Sequence, residues 1–183
     1  MSNRYFIYLL LILFFLSCKK EKIDDRVTFK ETVFEFRDEM EFDFPSIIGL
    51  NIPWVLPSID ISINFPQEVG YTDPLINGVE NILLKSMTAE ILSPSNEDFS
   101  FLKHLTIYIT APGLPDIELA HLYNISPNPG NIIDLVPAGN VLDTYVKRDD
   151  YNMKIEVTAD KLMLQDVKVN ASLVLEVTLI NER

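Results

Sequence analysis

The strongest constraint on the fold is a two-residue alternation near the C-terminus. Odd-numbered positions from Val167 to Leu179 are all apolar, whereas most even-numbered positions from Lys168 to Thr178 are polar. Side chains on a β-strand point alternately to opposite faces, so this pattern gives one apolar face and one mostly wet face. A helix would scatter the same apolar positions around its circumference. The segment is therefore predicted to be one long strand with a buried face.

The same alternation recurs along much of the chain. It is clear at residues 59–65, 87–91, 105–109, 117–119 and 153–157, and shorter at 27–29, 34–36 and 42–44. Clusters rich in Pro, Asn, Gly and Ser separate many of these segments, as expected of turns. Two short helical turns are predicted, at residues 74–82, where Asp73 would be the N-cap, and at 141–147. Such short helices cannot connect parallel strands, so the predicted class is all-β, an antiparallel β-sandwich.

From Leu84 onward the arrangement resembles the immunoglobulin-like sandwiches of bacterial surface lipoproteins. The resemblance lies in the segment Phe99-Ser100-Phe101-Leu102-Lys103 before a strand, and in Leu114-Pro115 before the next apolar strand. The same part of the chain, from Leu84 onward, is also similar to the sandwich of late-embryogenesis-abundant type 2 proteins. These resemblances cover about 100 residues, contain no catalytic motif and imply a fold rather than a chemistry.

The N-terminus has the features of an export signal. Arg4 is the only charged residue before Cys18, and residues 5–16 form an apolar run of about 12 residues, whereas a membrane-spanning helix needs about 20. The run ends in Phe15-Leu16-Ser17-Cys18, which resembles the lipobox of bacterial lipoproteins, and Cys18 is the only cysteine in the chain. The resemblance implies a signal peptide at 1–17, cleavage before Cys18 and acyl chains, palmitate among them, on that residue.

The predicted organisation follows from this N-terminus. Residues 18–25 form a charged, lipidated tether, and residues 26–183 form a single β-sandwich domain whose first part, about 26–57, is irregular. The protein is thereby expected in the cell envelope, held by its lipid on the outer membrane, with both the periplasmic and the surface face left open. Two or more acyl chains are needed for firm anchoring, since each buried methylene contributes only about 0.8 kcal/mol.

Composition argues against several functions. The formal net charge is −12, and no dense basic cluster follows the tether, so a nucleic-acid partner is not expected. The chain has only two histidines, His104 and His121, which are predicted to be surface or edge residues. No motif for a nucleophile, a phosphate loop or a zinc protease is present, so no enzyme activity, cofactor or metal site is predicted.

A candidate binding surface comes from aromatic residues. The only tryptophan, Trp54, lies between Pro53 and Pro57 in a segment that cannot easily be the interior of a helix. It can be an exposed docking loop, or it can cap an open end of the sandwich. The residues named for a binding surface are Trp54, Tyr71, Tyr108 and Tyr123.

The sequence therefore leads to two functional hypotheses. The first is a membrane-anchored envelope lipoprotein that acts as a non-enzymatic interaction or structural module, with a protein or polysaccharide partner. The alternative is a carbohydrate-binding accessory lipoprotein of an uptake system, which requires several aromatic rings exposed in one plane.

Overall fold

The computed structural model describes residues 29–46, 50–56, 59–60, 76–148 and 150–182. Cys18, Tyr71 and the signal and tether segments lie outside these ranges, so the predictions made for them stay predictions. Within the described ranges, no helix has the length and apolar character needed to cross a membrane.

Antiparallel β-strands make up most of the described chain, which confirms the all-β class. The strands are β1 (Phe29–Phe44), β2 (Pro53–Val55), β3 (Ile59–Asp60), β4 (Ile76–Ser93), β5 (Leu102–Thr110), β6 (Ile117–Tyr123), β7 (Ile132–Pro137), β8 (Asn152–Ala159) and β9 (Val167–Glu182). A 3₁₀ turn spans Phe99–Phe101, and a single helical turn, α1 (Asp143–Val146), lies within the second predicted helical segment.

The strands form one curled sheet whose two halves enclose a common core. The neighbour order is β1-β9-β4-β7-β6-β5-β8-β2, with β3 also pairing with β8. The first residues of β7 pair with β4, whereas Val136 and Pro137 pair with β6. Strand β7 therefore joins the first half-sheet (β1, β9, β4) to the second (β6, β5, β8, β2, β3). Such a change of partner is how a strand turns the corner of a sandwich.

Strand β9 has the predicted alternation. Every odd position from Val167 to Val177 is buried, and each of these residues belongs to a single hydrophobic core shared by both half-sheets. At one end of this core, the ring of Phe44 from β1 packs edge-on against Phe101, with centroids 5.6 Å apart. The apolar period of the sequence thus defines the inner face of the sheet.

The first predicted helical turn is wrong, because residues 76–82 begin the 18-residue strand β4. Val79 and Ile82 are both buried although they are three residues apart, a spacing that mimics a helical face. A β-bulge explains it: the register shifts between Glu80 and Leu83, and Asn81 takes a positive φ of 53°. The extra residue turns both Val79 and Ile82 towards the core.

Two hydrogen bonds join the bulge in β4 to the helical turn α1. The N–H of Ile82 donates to Oδ2 of Asp143 at 2.9 Å, and the carbonyl of Ile82 accepts from the N–H of Leu142 at 2.8 Å. A bulge leaves backbone groups without ladder partners, and buried backbone groups need partners. The helical turn predicted at 141–147 is therefore confirmed, and it supplies the hydrogen bonds that β9 cannot give at this point.

The N-terminal segment is more regular than expected, because 29–44 is a single 16-residue strand paired with β9 along its whole length. The inward positions include Phe36, Met40, Phe42 and Phe44, all buried. Asp38 occupies an inward position between Phe36 and Met40, so the apolar alternation is interrupted. An inward charge on an edge strand also discourages pairing with other chains.

Candidate functional site

Of the predicted aromatic residues that the structure describes, Trp54 does not share a surface with Tyr108 and Tyr123. Trp54 is opposite Val157 in the β2–β8 register, so it faces inward, and it packs half-buried against the core. Tyr108 on β5 and Tyr123 on β6 face outward on the second half-sheet. The half-buried, inward position of Trp54 differs from a fully exposed docking loop, and a role of Trp54 in binding stays a prediction. Tyr71 lies outside the described residues.

Both histidines lie on the outer face of the second half-sheet, beside Tyr123. His121 stacks on the ring of Tyr123 with centroids 4.3 Å apart and an 18° angle between planes. His104 meets the same ring edge-on at 5.9 Å. Nδ1 of His121 is 2.6 Å from Oε1 of Glu118, and the Tyr123 hydroxyl donates to the other carboxylate oxygen at 3.5 Å. We call His104, Glu118, His121 and Tyr123 the ring cluster.

A second β-bulge creates the ring cluster. Ile107 pairs with Ala120 but Tyr108 pairs with Glu118, so Leu119 is an extra residue in β6. Without the bulge, Glu118 and His121 would face opposite sides of the sheet, because they are three residues apart. With it, both face outward and their side chains meet. Bulges commonly re-aim side chains in this way near functional sites.

The hydrogen bonds of the two imidazoles differ. The carboxylate of Glu118 can only accept, so His121 holds a proton on Nδ1. Nδ1 of His104 instead accepts from the backbone N–H of Asn124 at 3.2 Å, so that nitrogen carries no proton. In their neutral forms, His121 therefore offers Nε2 as an acceptor and His104 offers Nε2–H as a donor. The cluster places a donor and an acceptor beside the Tyr123 ring.

The cluster continues towards Tyr108 on the same outer face. The ammonium of Lys154 lies 4.6 Å above the centroid of the Tyr108 ring and also pairs with Asp116. The hydrogen bond that Lys154 donates to the carboxylate of Asp116 raises the pKa of Lys154 above its ordinary value. Burial raises the pKa of the Tyr108 hydroxyl. Thr106 lies between His104 and Tyr108 on β5 and is a buried polar residue of this outer face. The outer face thus carries polar-tipped rings beside the charged side chains of Glu118, Lys154 and Glu156.

The chemistry of this face suits recognition. An imidazole that acts as a general base lies within hydrogen-bond reach of the group whose proton it takes. In the described part of the chain, the imidazole hydrogen bonds go to a carboxylate and a backbone N–H rather than to a hydroxyl. No three His, Cys, Asp or Glu side chains among the described residues are grouped to hold a metal ion. Rings with outward donors and acceptors provide contact area and orientation to a bound partner.

Sequence reasoning identified Tyr108 and Tyr123 but did not join the histidines to them. The alternation of β5 already places His104 and Tyr108 on one side of that strand. The position of β6 beside β5, and the bulge at Leu119, depend on pairing between distant residues. A local signal was present: Glu118 and His121 interrupt an apolar run with an acidic and an imidazole side chain three residues apart.

Comparisons with known proteins identify no family. No family model matches the chain, and no curated protein matches it significantly. A solved structure from Desmodium yellow mottle tymovirus is 11% identical over 84% of this chain and 90% of that chain, with a TM-score of 0.29. One from turnip yellow mosaic virus is 10% identical over 82% of this chain and 83% of that chain, with a TM-score of 0.25. TM-scores this low do not establish a shared fold.

Proposed function

We propose that this chain is an envelope lipoprotein, anchored by lipid on Cys18, whose β-sandwich binds a partner and performs no catalysis. The observation that carries the anchor is the sequence Phe15-Leu16-Ser17-Cys18 at the end of an apolar run, with no other cysteine in the chain. Two or three acyl chains on Cys18 would hold the protein at the membrane without a transmembrane helix. The residues that follow Cys18 are rich in charge, as expected of a tether.

The ring cluster supports a binding role for the folded domain. Tyr123 is 47% exposed, yet its ring is held by His121 and His104 and its hydroxyl by Glu118. A ring that is fixed before binding loses little conformational freedom when a partner covers it. Tyrosine and histidine side chains also combine an apolar face with a polar edge, which suits a wet interface.

The carbohydrate-binding alternative has one specific observation in its favour. Sugar rings stack on exposed aromatic faces and use their hydroxyl groups as donors and acceptors. The cluster offers an acceptor on His121 and a donor on His104 beside the half-exposed Tyr123 ring. This alternative would have to use Tyr108 and Tyr123 without Trp54, because Trp54 faces the core.

The anchor is tested by metabolic labelling with a fatty-acid analogue in cells that produce the full chain. We expect label on the wild type and on Ser126→Ala, a substitution in an exposed loop, and none on Cys18→Ser. The wild type should fractionate with membranes after a high-salt wash, which removes proteins held only by charge. Labelling of Cys18→Ser, or a mature N-terminus other than Cys18, would overturn the anchor.

The binding role is tested on the purified protein with Tyr123→Ala and the matched outer-face variant Thr88→Ala on β4. Titration with envelope polysaccharides, measured by calorimetry, tests whether the partner is a carbohydrate. Binding that is lost in Tyr123→Ala but kept in Thr88→Ala favours the carbohydrate role. Turnover of a polysaccharide by the wild type would contradict the non-catalytic role.

A further inference from the structure

The end of the sandwich farthest from the start of β1 carries a set of exposed apolar side chains. At this end, which we call the tip, β1, β4, β6 and β8 finish and β5, β7 and β9 begin. The loop from Asp160 to Asp166 holds Leu164, 93% exposed, and Leu162, 66% exposed. Leu50 and Ile52, before β2, are exposed at the same end, and Leu50 bridges to Ala159 next to that loop.

The loop is fixed in a shape that keeps its leucines outward. Met163, between Leu162 and Leu164, is buried in the core. On one side, the N–H of Asp160 donates to the carbonyl of Phe101 at 3.1 Å, and on the other Oδ1 of Asp166 accepts from the N–H of Ser46 at 2.7 Å. A loop held at both ends and in the middle cannot easily fold its leucines onto the domain. Their apolar surface can leave water only by contact with another molecule.

The direction of β1 places the tip away from the membrane if Cys18 is lipidated, so the inference rests on the proposed anchor. Cys18 precedes Phe29, and Phe29 pairs with Glu182 at the opposite end of the sandwich. Sixteen residues of strand at about 3.3 Å each separate the two ends of β1 by about 50 Å. The tip would therefore be the part of the domain that reaches farthest from the anchor.

The charged side chains near the tip indicate which kind of molecule can bind there. Asp160 and Asp166 are exposed on the loop, Glu97 accepts a hydrogen bond from Gln165 of the loop, and Asp98 lies close enough to Lys161 to interact with its charge. The nearby cations include Lys161 on the loop and Lys103, whose ammonium donates to Asn51, so the acidic side chains outnumber them. A second copy would bring the same acidic rim against itself, and an anionic lipid surface would repel it. A partner with an apolar pocket and a basic rim complements both features.

We infer that the tip docks a second protein, a partner that receives Leu162 and Leu164 in an apolar pocket bordered by Lys or Arg side chains. The fixed loop presents the two leucines as anchors, and Asp160 and Asp166 provide the charge that orients the approach. Docking of this kind uses a few buried apolar side chains for affinity and rim charges for specificity. The ring cluster lies on the outer face of β5 and β6, whereas Leu162 and Leu164 lie in the loop between β8 and β9.

The first test is photo-crosslinking in cells that produce the full chain, with a photoreactive phenylalanine at position 164 or at position 33. Val33 is the control, because it is also exposed and apolar but lies on β1 near the other end. We expect a discrete protein adduct from position 164 that is absent from position 33 and weaker when Asp160→Lys is added. An adduct twice the mass of the chain, an adduct to lipid only, or the same adduct from both positions would overturn the inference.

The second test uses the protein identified in that adduct, purified and titrated with the full chain. We expect Leu162→Ser combined with Leu164→Ser to weaken binding at least tenfold, and Asp160→Lys to weaken it more at low salt than at high salt. Val33→Ser, an exposed apolar position on β1 near the opposite end of the sandwich, should leave this affinity unchanged. Equal affinity of the wild type and the double variant would overturn the tip as the docking site. If the wild type isolated from cells carried no lipid on Cys18 and still bound the partner, the anchor would be refuted and the tip would remain the docking site.

Discussion

The two half-sheets share a core but differ in strand length and in their outer faces. The first half-sheet contains strands of 16 to 18 residues, whereas within the described residues the longest strand of the second has 9. The outer face of the first carries ion pairs such as Glu35–Lys85 and Glu41–Lys168. The outer face of the second carries the ring cluster and the Lys154–Tyr108 contact. The first face is an ordinary solvated surface, and the second concentrates side chains suited to recognition.

The comparison also shows two uses of a β-bulge. In β4, the bulge at Asn81 turns Ile82 inward, and Asp143 supplies an acceptor for its N–H. In β6, the bulge at Leu119 brings Glu118 and His121 to the outer face. The same insertion of one residue thus completes the core in the first half-sheet and builds the candidate site in the second.

The largest effect is expected where the two half-sheets meet. Phe44 is fully buried and packs edge-on against Phe42 at 5.3 Å and Phe101 at 5.6 Å. Phe44→Ala should lower the free energy of unfolding by about 3–5 kcal/mol, through lost burial and the cavity left behind. The measurement is urea denaturation followed by circular dichroism. Phe34→Ala, on the same face of β1 but only partly buried, is the control and should cost clearly less. Equal losses would mean that Phe44 does not join the halves.

The second effect tests the bulge of the first half-sheet. Asp143→Ala removes the acceptor of the Ile82 N–H, and an unsatisfied buried donor costs about 1–3 kcal/mol. Asp143→Asn keeps an acceptor oxygen and should recover most of the loss in a denaturation experiment. Asp134→Ala, which breaks only an exposed hydrogen bond with Thr88, is the matched control. A loss in Asp134→Ala as large as that in Asp143→Ala would remove the special role of the bulge.

The sequence predicts regular strands well and bulged strands poorly. The alternation at Val167–Val177 needs no knowledge of partners, because each inward position is apolar. Beyond a bulge the inward positions change parity, so the two-residue alternation does not continue from Val79 to Ile82, and the Glu118–His121 pair stayed unrecognised. Strand β1 looked irregular because Asp38 interrupts its inward face, although pairing with β9 keeps it regular. Non-local pairing decides each of these cases, and local periodicity does not contain it.

The third effect tests whether the ring cluster acts as a unit. A double-mutant cycle of His121→Ala and Tyr123→Ala should give a coupling free energy of about 0.5–1.5 kcal/mol, because the two rings are stacked. The cycle is measured by urea denaturation of four proteins at neutral pH. A parallel cycle of Thr88→Ala and Asp134→Ala on the first half-sheet should give a smaller coupling. Additive losses in the first cycle would mean that Tyr123 is not held by its neighbour, and the argument for a fixed recognition surface would fail.

The smallest effect is expected for the ion pairs of the first outer face. Lys85 lies 2.6 Å from Glu35, and this hydrogen bond and charge lower the pKa of Glu35 below its ordinary value of 4.5. Both side chains are largely solvated, so water and salt screen the pair and Lys85→Ala should lower stability only slightly at neutral pH. Thermal unfolding at several pH values is the measurement.

The direction of the pH effect follows from the lowered pKa of Glu35. Its stabilisation is fully present above the unfolded pKa and is lost as the pH falls through the lower folded pKa. The wild type should therefore lose slightly more stability than Lys85→Ala between about pH 5 and pH 3, and the difference should shrink in high salt. A large loss in Lys85→Ala at neutral pH would show that the first outer face is more than a solvated surface. The outer faces of the two half-sheets would then differ only in the chemistry of their side chains, because interactions on both faces would stabilise the fold.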